Sequence, residues 1–538
     1  MLLMSMLSCT SSTPASTTAK PAGTTGATTA KEIPNFNATG TKIVNTPVTL
    51  EVLTQFDAAN YGTKNYNDLK LVQQWAADTN VKVNWTTYPA ADWATKKNLL
   101  LAGGGKLPDV IAYRITDYDT LTYSAQKYWV PLNDLIDKYT VNLKKAFADY
   151  PDVYKSLITP DGNIYTLPRF KGQEDMKYPN RMYINQDWLT KLNLKMPTTI
   201  DEFTAVLKAF KTMDPNGNGK ADEIPYAFLY RAAAYNWLGS FDRYAPYGFF
   251  GTFGTFDTPN HMVLQDGKPA FTANTASYKN AVSWMSQAYT AGYIDPEAFT
   301  EDQNAFKAKN TTGDTVYGVW TGWTMEEATK NTPDVIKTYV TMPPLKNSDG
   351  KQIWPMFGYN QYSRGYFQIT KDCKTPEVAI RWIDYFCEPY FSIQNDWGIK
   401  DLGTKINSDG TWSIIGSGQA TVRAAEGLPW VLPTFVPPSI YAKGTYGDPV
   451  KAYENAGCKV YAPFAVDLLP NVYFPLETTT KMGTLGKSVN DYVTQQTAQW
   501  ITKGGVDKDW ATYTKTLDTM GLGDYVKAYT DAYATFKK

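Results

Sequence analysis

Asp214, Asn216, Asn218, Lys220, Asp222 and Glu223 fall within one short run, D-P-N-G-N-G-K-A-D-E, whose chemistry is that of a hard cation. Oxygen side chains at positions one, three and five, a glycine at six for the sharp turn and a backbone carbonyl at seven are how an EF-hand wraps Ca²⁺. Asp214, Asn216, Asn218, Gly219 and the Lys220 carbonyl fill those positions. Position twelve is Pro225 in place of a bidentate glutamate, so the loop must close differently, through Asp222 at nine and Glu223 at ten. A polar Asn-Gly turn between helix and strand would use the same residue types. Against that reading, the carboxylates of Asp214, Asp222 and Glu223 would repel one another without a cation, so Ca²⁺ would stabilise the loop. A site ligated wholly by protein leaves no open position for substrate or activated water, which makes the ion structural.

The second chemistry is stacking combined with hydrogen bonding. The chain holds 38 Tyr, 23 Phe and 16 Trp, enough to supply flat ligand faces as well as core volume. Sugar rings have apolar CH faces that stack on aromatics, while their hydroxyls need amides, carboxylates and guanidinium forks. Trp320 and Trp323 in V-W-T-G-W, Tyr359 in F-G-Y-N-Q-Y-S-R and the adjacent Arg364 mix these types, and Trp237 and Trp397 are further candidates. Each aromatic competes with a plain packing role. Arg169 and Glu174 lie in the charged segment P-R-F-K-G-Q-E-D, which could bond a ligand or merely face water at a hinge. Arg114, Arg169 and Arg364 together would suit an acidic sugar.

Several enzyme classes lose their signatures. With His261 alone, in a polar stretch expected to be a solvated loop, the chain argues against a His-based triad and a His-rich metal centre. No G-x-S-x-G or H-E-x-x-H is present, and Gly483 lies too close to Gly486-Lys487-Ser488 for a phosphate loop. A glycosidase needs only two carboxylates, so a secreted carbohydrate-active enzyme, glycosidase or lyase, stands as the alternative, without the eightfold strand-helix alternation of a barrel. A formal charge of zero removes any basic field for nucleic acid. Cys373, Cys387 and Cys458 match no zinc spacing, and the first two flank a helix-like stretch of roughly 20 Å, too long for a disulfide.

The elements that must position these residues are legible as periodicity. At 538 residues the chain exceeds one core, so two lobes and a tail are expected. Val48, Leu50 and Val52 alternate; Leu69, Val72 and Ala76 have helical spacing; Val81, Val83 and Trp85 alternate again; a helix over 90–103 and a buried strand 108–113 follow. This βαβαβ order predicts a parallel sheet, with Tyr113 and Arg114 at its ligand rim beyond a strand's carboxyl end. Thr199 and Glu202 form a capping box that opens a helix leading to Asp214. Helices are predicted over 275–292, from Pro376, and from about Gly486 onward, with strands over 316–320 and 364–369. The start, M-L-L-M-S-M-L-S-C, resembles a bacterial lipobox with Cys9 as the lipidated residue, and the polar segment from Thr10 to Asn45 reads as a tether.

The ordered set P-D-V-I-A-Y, D-G-N-I-Y-T-L-P, R-M-Y-I-N-Q-D-W-L, P-T-T-I-D-E-F and D-P-N-G-N-G-K-A-D-E-I-P resembles the solute-binding lipoproteins of carbohydrate ABC importers, in the branch similar to the alginate-oligosaccharide-binding proteins. The resemblance implies an α/β, two-lobed, type II periplasmic-binding-protein-like fold, with mixed sheets flanked by helices and the ligand cleft between lobes. It also implies the Asp222-Glu223 closure of the calcium loop. Expected boundaries are 1–9 for the signal remnant, 10–45 for the tether, 46–175 and 363–460 for lobe 1, and 176–362 and 461–538 for lobe 2. The implied function is non-enzymatic: a lipid-anchored, extracytoplasmic monomer binds a sugar or oligosaccharide by lobe closure and delivers it to the importer's membrane subunits. A peptide-binding surface lipoprotein is the further alternative.

Overall fold

The computed structural model describes residues 33–56, 65–230, 243–330, 332–357, 362–415, 431–445 and 449–538. Cys9, Trp237 and Tyr359 lie outside the described residues. The strands that organise the two lobes are, in chain order, β1 (Val48–Phe56), β2 (Val81–Pro89), β3 (Val110–Ile111), β4 (Leu167–Lys171), β5 (Arg181–Asn185), β6 (Ile224–Ala227), β7 (Tyr317–Gly322), β8 (Tyr339–Thr341), β9 (Trp354–Met356), β10 (Tyr362–Ile369), β11 (Phe435–Val436) and β12 (Ala465–Asp467).

One sheet has the order β11-β4-β10-β3-β1-β2 and a second the order β8-β5-β7-β6. The predicted βαβαβ unit is there: β1 pairs in parallel with both β2 and β3, and helices Lys70–Thr79 and Ala90–Ala102 make the crossovers. The chain leaves the first sheet after β4, builds the second from β5 to β8, and returns through β10, which runs antiparallel to β3 and β4. Each sheet is covered by its own apolar cluster, one centred on Trp75, Phe367 and Trp382, the other on Phe203, Tyr226, Phe249 and Trp500. Trp75 and Trp382 stack with centroids 4.0 Å apart and so lock helix Lys70–Thr79 to helix Pro376–Phe386.

Three sequence expectations change. Helix Pro449–Cys458 packs beside β8, with the Met325 N–H donating to Glu454 Oε1 at 2.6 Å, so chain from before residue 461 belongs with the second sheet. The last helical region begins at Leu476, ahead of the expected start near Gly486, and takes in Gly483 to Ser488. His261 is buried, because Asn260 is held by the C-terminal helix Leu522–Phe536: Tyr525 donates to the Asn260 carbonyl at 3.0 Å and Asn260 donates to the Tyr529 hydroxyl at 3.0 Å. Its Nδ1 lies 2.9 Å from the buried Asp257 carboxylate. Cys373, Cys387 and Cys458 are free and buried, and among the described residues no helix is long and apolar enough to cross a membrane.

In the second lobe Lys309 Nζ meets Asp295, Glu297 and Glu301 at 2.9, 2.6 and 2.8 Å. Burial outweighs the Lys309 bond and raises Glu301 from its ordinary 4.5 to about 7. The folded protein therefore holds this proton more tightly than the unfolded chain does, so stability falls as pH rises from 4.5 to about 7 and is level above. Glu301→Gln removes the titration and is expected to flatten that part of the urea-midpoint profile between pH 5 and 8. An unchanged slope would show that Glu301 is not its source.

Candidate functional site

At the carboxyl end of β4, Arg169 and Lys171 share one face of the strand because side chains two apart point the same way. They meet Asp396, in the last turn of helix Pro389–Trp397, which the β11-β4 edge holds against the strand. Lys171 Nζ lies 2.9 Å from Asp396 Oδ2, Arg169 Nη2 lies 3.7 Å from Oδ1, and the Tyr441 hydroxyl donates to Oδ2 at 3.2 Å. Asp396 is fully buried and both cations nearly so. Such a group of charges withstands desolvation only when its members face one another. Lys171 Nζ also lies 5.8 Å from the Trp397 ring centroid. In the same helix the Asn395 amide is buried with neither its oxygen nor its nitrogen bonded, spare capacity of the kind a hydroxyl-rich ligand uses.

Tyr113 and Arg114 follow β3, one strand beyond β10 from β4, and both have left-handed backbones, φ 77° and 50°. That conformation is rare for bulky residues and persists where surrounding structure enforces it, often at binding sites. Here the Tyr113 N–H donates to the Tyr366 carbonyl at 3.3 Å and the Ile115 N–H to the Gly365 carbonyl at 3.0 Å. The Tyr113 and Tyr366 rings meet edge to face at 5.5 Å, and the exposed Arg114 guanidinium lies 5.1 Å from the Tyr113 centroid. Tyr113, Tyr366 and Tyr441 are, with Asp396, the electrostatic neighbours of Arg169. Tyr113 and Arg169, two of the sequence candidates, thus lie about Asp396, with the exposed Arg114 beside Tyr113, whereas Trp397 is buried against Trp412 in the core. The signal for Asp396 was present: a carboxylate in an otherwise apolar helix, beside Trp397.

The second sheet contributes Trp323, half-buried just beyond β7. Its indole N–H donates to the Asp175 carbonyl at 3.2 Å, in the segment that carries the chain between sheets, and its backbone N–H donates to Glu327 Oε2 at 2.8 Å. Arg243 pairs with Glu327 at 3.0 Å; burial nevertheless raises the Glu327 pKa. Glu174 is exposed and paired with Lys177 at 3.1 Å. Trp320 is removed from the candidate wall: alternation along β7 turns it into the core, fully buried against Tyr183 at 4.4 Å. Arg364 is removed as well, since its guanidinium is buried and bonded to Asp117, Ser156 and Asn471. The Arg364 donors are thus bonded within the protein and are not offered beside Arg114 and Arg169 to an acidic sugar.

The loop 214–223 follows helix Ile200–Thr212, whose Thr199 cap accepts the Glu202 N–H while Glu202 accepts from Thr198. The Asp214 carboxylate accepts N–H bonds from Gly217, Asn218 and Gly219 at 2.9, 3.1 and 3.0 Å. Asn216 Oδ1 accepts from the Asn218 N–H, Asn218 Oδ1 from the Lys220 N–H, and both amide nitrogens reach Asp222. Gly217 and Gly219 both take φ 75°, the turn that their lack of a side chain permits. Glu223 is 1% exposed and its Oε1 has no hydrogen-bond partner, while burial, then Asp222 and Asp214, raise its pKa. Among the described residues no three Asp, Glu, His or Cys side chains form a metal cluster by themselves. The donor set is mixed, and a buried carboxylate oxygen without a donor is the group a cation would satisfy.

Residues 63–389 match the bacterial extracellular solute-binding protein family. The fructooligosaccharide ABC transporter substrate-binding protein FusA of Streptococcus pneumoniae serotype 4 is 33% identical over 497 residues, covering 88% of this chain and 89% of FusA. The structure of FusA with kestose superposes with a TM-score of 0.75 at 30% identity over 91% of this chain and 99% of FusA, and an EF-hand mutant of FusA in complex with fructo-nystose superposes equally well. A human-milk-oligosaccharide-binding solute-binding protein of Bifidobacterium longum infantis gives a TM-score of 0.80 at 23% identity, over 92% of this chain and all of that one. The alginate-binding protein AlgQ2, solved without calcium, gives 0.67 at 21% over 92% and 99%. The last two likenesses show the shared two-lobed fold.

Proposed function

This chain belongs to the bacterial extracellular solute-binding protein family, and we propose that it captures an oligosaccharide between its lobes and delivers it to the membrane subunits of an ABC importer. The observation that carries the reading is the Arg169, Lys171 and Asp396 group beneath the strained Tyr113-Arg114 rim, at the strand ends where ligands of open α/β sheets bind. Solute that touches both this wall and the Trp323 side does so only when the lobes close, so binding shifts the population toward the closed form. Capture of this kind needs no covalent step. Asp214, Asn216, Asn218, the Lys220 carbonyl, Asp222 and Glu223 would hold a structural Ca²⁺, supported by the unbonded Glu223 Oε1 and by the EF-hand of FusA. Cys9 would carry a lipid anchor on the outer face of the cell membrane, with 10–45 as tether.

Intrinsic tryptophan fluorescence of the tether-free protein, titrated in calcium buffer, tests the reading. Fructooligosaccharides head the panel because FusA carries them in its name, with acidic oligosaccharides and peptides as controls. A saturable change with the sugar recovered intact is the expected result. Shortened products would move the protein to the carbohydrate-active enzymes, and a response to peptides alone would sink the sugar reading.

A further inference from the structure

Arg364 lies near the start of the return strand β10, yet its side chain grips both lobes. Its Nε donates to Asp117 Oδ1 at 3.1 Å and its Nη2 to Asp117 Oδ2; Nη1 donates to the Ser156 carbonyl at 2.8 Å. Asp117 begins helix Asp117–Ala125 and Ser156 lies in helix Pro151–Leu157, both among the elements of the first lobe. On the other side Nη1 donates to the Asn471 carbonyl at 3.0 Å, and Nη2 to Asn471 Oδ1 at 3.1 Å and the Val472 carbonyl at 3.4 Å. The guanidinium carbon lies 3.8 Å from the Tyr473 ring centroid. Residues 471–473 lead from β12 to helix Leu476–Lys503, which packs on the second-lobe helix Ala276–Thr290.

The backbone is shaped for this grip. Register slips between Ser363 and Phe367, a bulge of the kind that re-aims a side chain. Gly365 has φ 79°, and a Cβ there would stand 2.0 Å from the Ile115 carbonyl oxygen, so only glycine permits the bulge to seat. The two segments that meet at Arg364 also start together, because β9 and β12 pair in parallel. The Phe357 N–H donates to the Lys177 carbonyl at 2.8 Å, which ties in the first crossing between sheets. Beside the grip Asp117, Asn471, Thr258, Asn260 and Tyr529 line a cavity of about 110 Å³, and helix Leu476–Lys503 also packs on helix Asp117–Ala125.

We propose that Arg364 is a hinge latch: a positioning residue that fixes 471–473 against the first lobe and so limits how far the lobes open, without touching solute. The role in capture rests on the solute-binding reading above. A planar fork meeting a carboxylate and several carbonyls at once is something lysine cannot reproduce. Arg364→Lys and Asn471→Ala are therefore expected to enlarge the solute-free radius of gyration measured by small-angle X-ray scattering. Both should weaken solute binding about tenfold as the closure-competent fraction falls. Asn471→Asp keeps an acceptor for Nη2 and is expected to match wild type in both measurements, a rescue that mere loss of stability would not give. Should Arg364→Lys fail to fold, the Asn471 pair decides.

Wild-type scattering from Asn471→Ala, or an Asn471→Asp protein as open as Asn471→Ala, would overturn the latch. An enlarged free form with wild-type affinity would overturn its part in capture. Scattering without solute reads the latch whether or not any sugar binds, so a silent titration would count against the capture reading alone.

Discussion

Chelating calcium is expected to lower the melting temperature by roughly 10 °C. An ion held at a thousandfold excess over its Kd stabilises by about 4 kcal/mol, and for a unit of lobe size each kcal/mol is worth about 2–4 °C. The physical cause is the crowding of Asp214, Asp222 and Glu223 around one turn, with Glu223 buried to 1% exposure and its Oε1 unbonded. The loop also receives the carboxyl end of helix Ile200–Thr212, where backbone carbonyls favour a cation. Its stabilisation spreads beyond the loop, because Asn218 Nδ2 reaches Asp314 at 3.1 Å and Asn216 Nδ2 the Thr315 carbonyl at 3.4 Å, just ahead of β7. Asp214→Ala and Glu223→Ala should each abolish the calcium-dependent part of the melting shift. A melting temperature indifferent to chelation, with no metal found by elemental analysis, would return the loop to an ordinary Asn-Gly turn.

That loop was readable from sequence because its donors are neighbours in the chain, and local geometry decides what they can hold. The βαβαβ unit was readable for the same reason: the alternation of Val48, Leu50 and Val52 reports a face that must be buried whatever lies beyond it. The proposed solute wall is different. Lys171 meets Asp396 only because β11 returns to pair with β4 and brings helix Pro389–Trp397 across the strand, a consequence of sheet order that periodicity does not encode. Trp320 and Trp323 looked alike as sequence, yet one points into the core along β7 and the other lies past the strand's end. His261 misled because Asp257-Thr258-Pro259-Asn260 has the composition of a surface turn. A C-terminal helix more than two hundred residues later covers it, as the Tyr525 and Tyr529 bonds to Asn260 show. Arg364, a ligand candidate by sequence, is buried and bonded to Asp117 and Asn471, since an arginine beside a crossover can serve a ligand or the fold itself.

Asp396→Ala is expected to reduce the unfolding free energy by about 3–5 kcal/mol, the cost of breaking a buried ion pair from one side. With the carboxylate gone, the ammonium of Lys171 loses a partner at 2.9 Å and the Arg169 guanidinium an opposite charge at 3.7 Å, both in surroundings where water cannot replace it. Asp396→Asn keeps shape and an acceptor for Tyr441 but not the charge, so it should fall between wild type and alanine, and both should weaken solute binding. The control is Asp134→Ala. Asp134 also pairs with a lysine, Lys138 at 2.6 Å, but its side chain is 82% exposed, and a surface pair of this kind contributes only about 0–1 kcal/mol. Urea denaturation of the three variants compares one charge chemistry at two depths. An Asp396→Ala penalty no larger than that of Asp134→Ala would mean that other groups carry the Arg169 and Lys171 charges, and the centre of the solute wall would have to be sought elsewhere along β4.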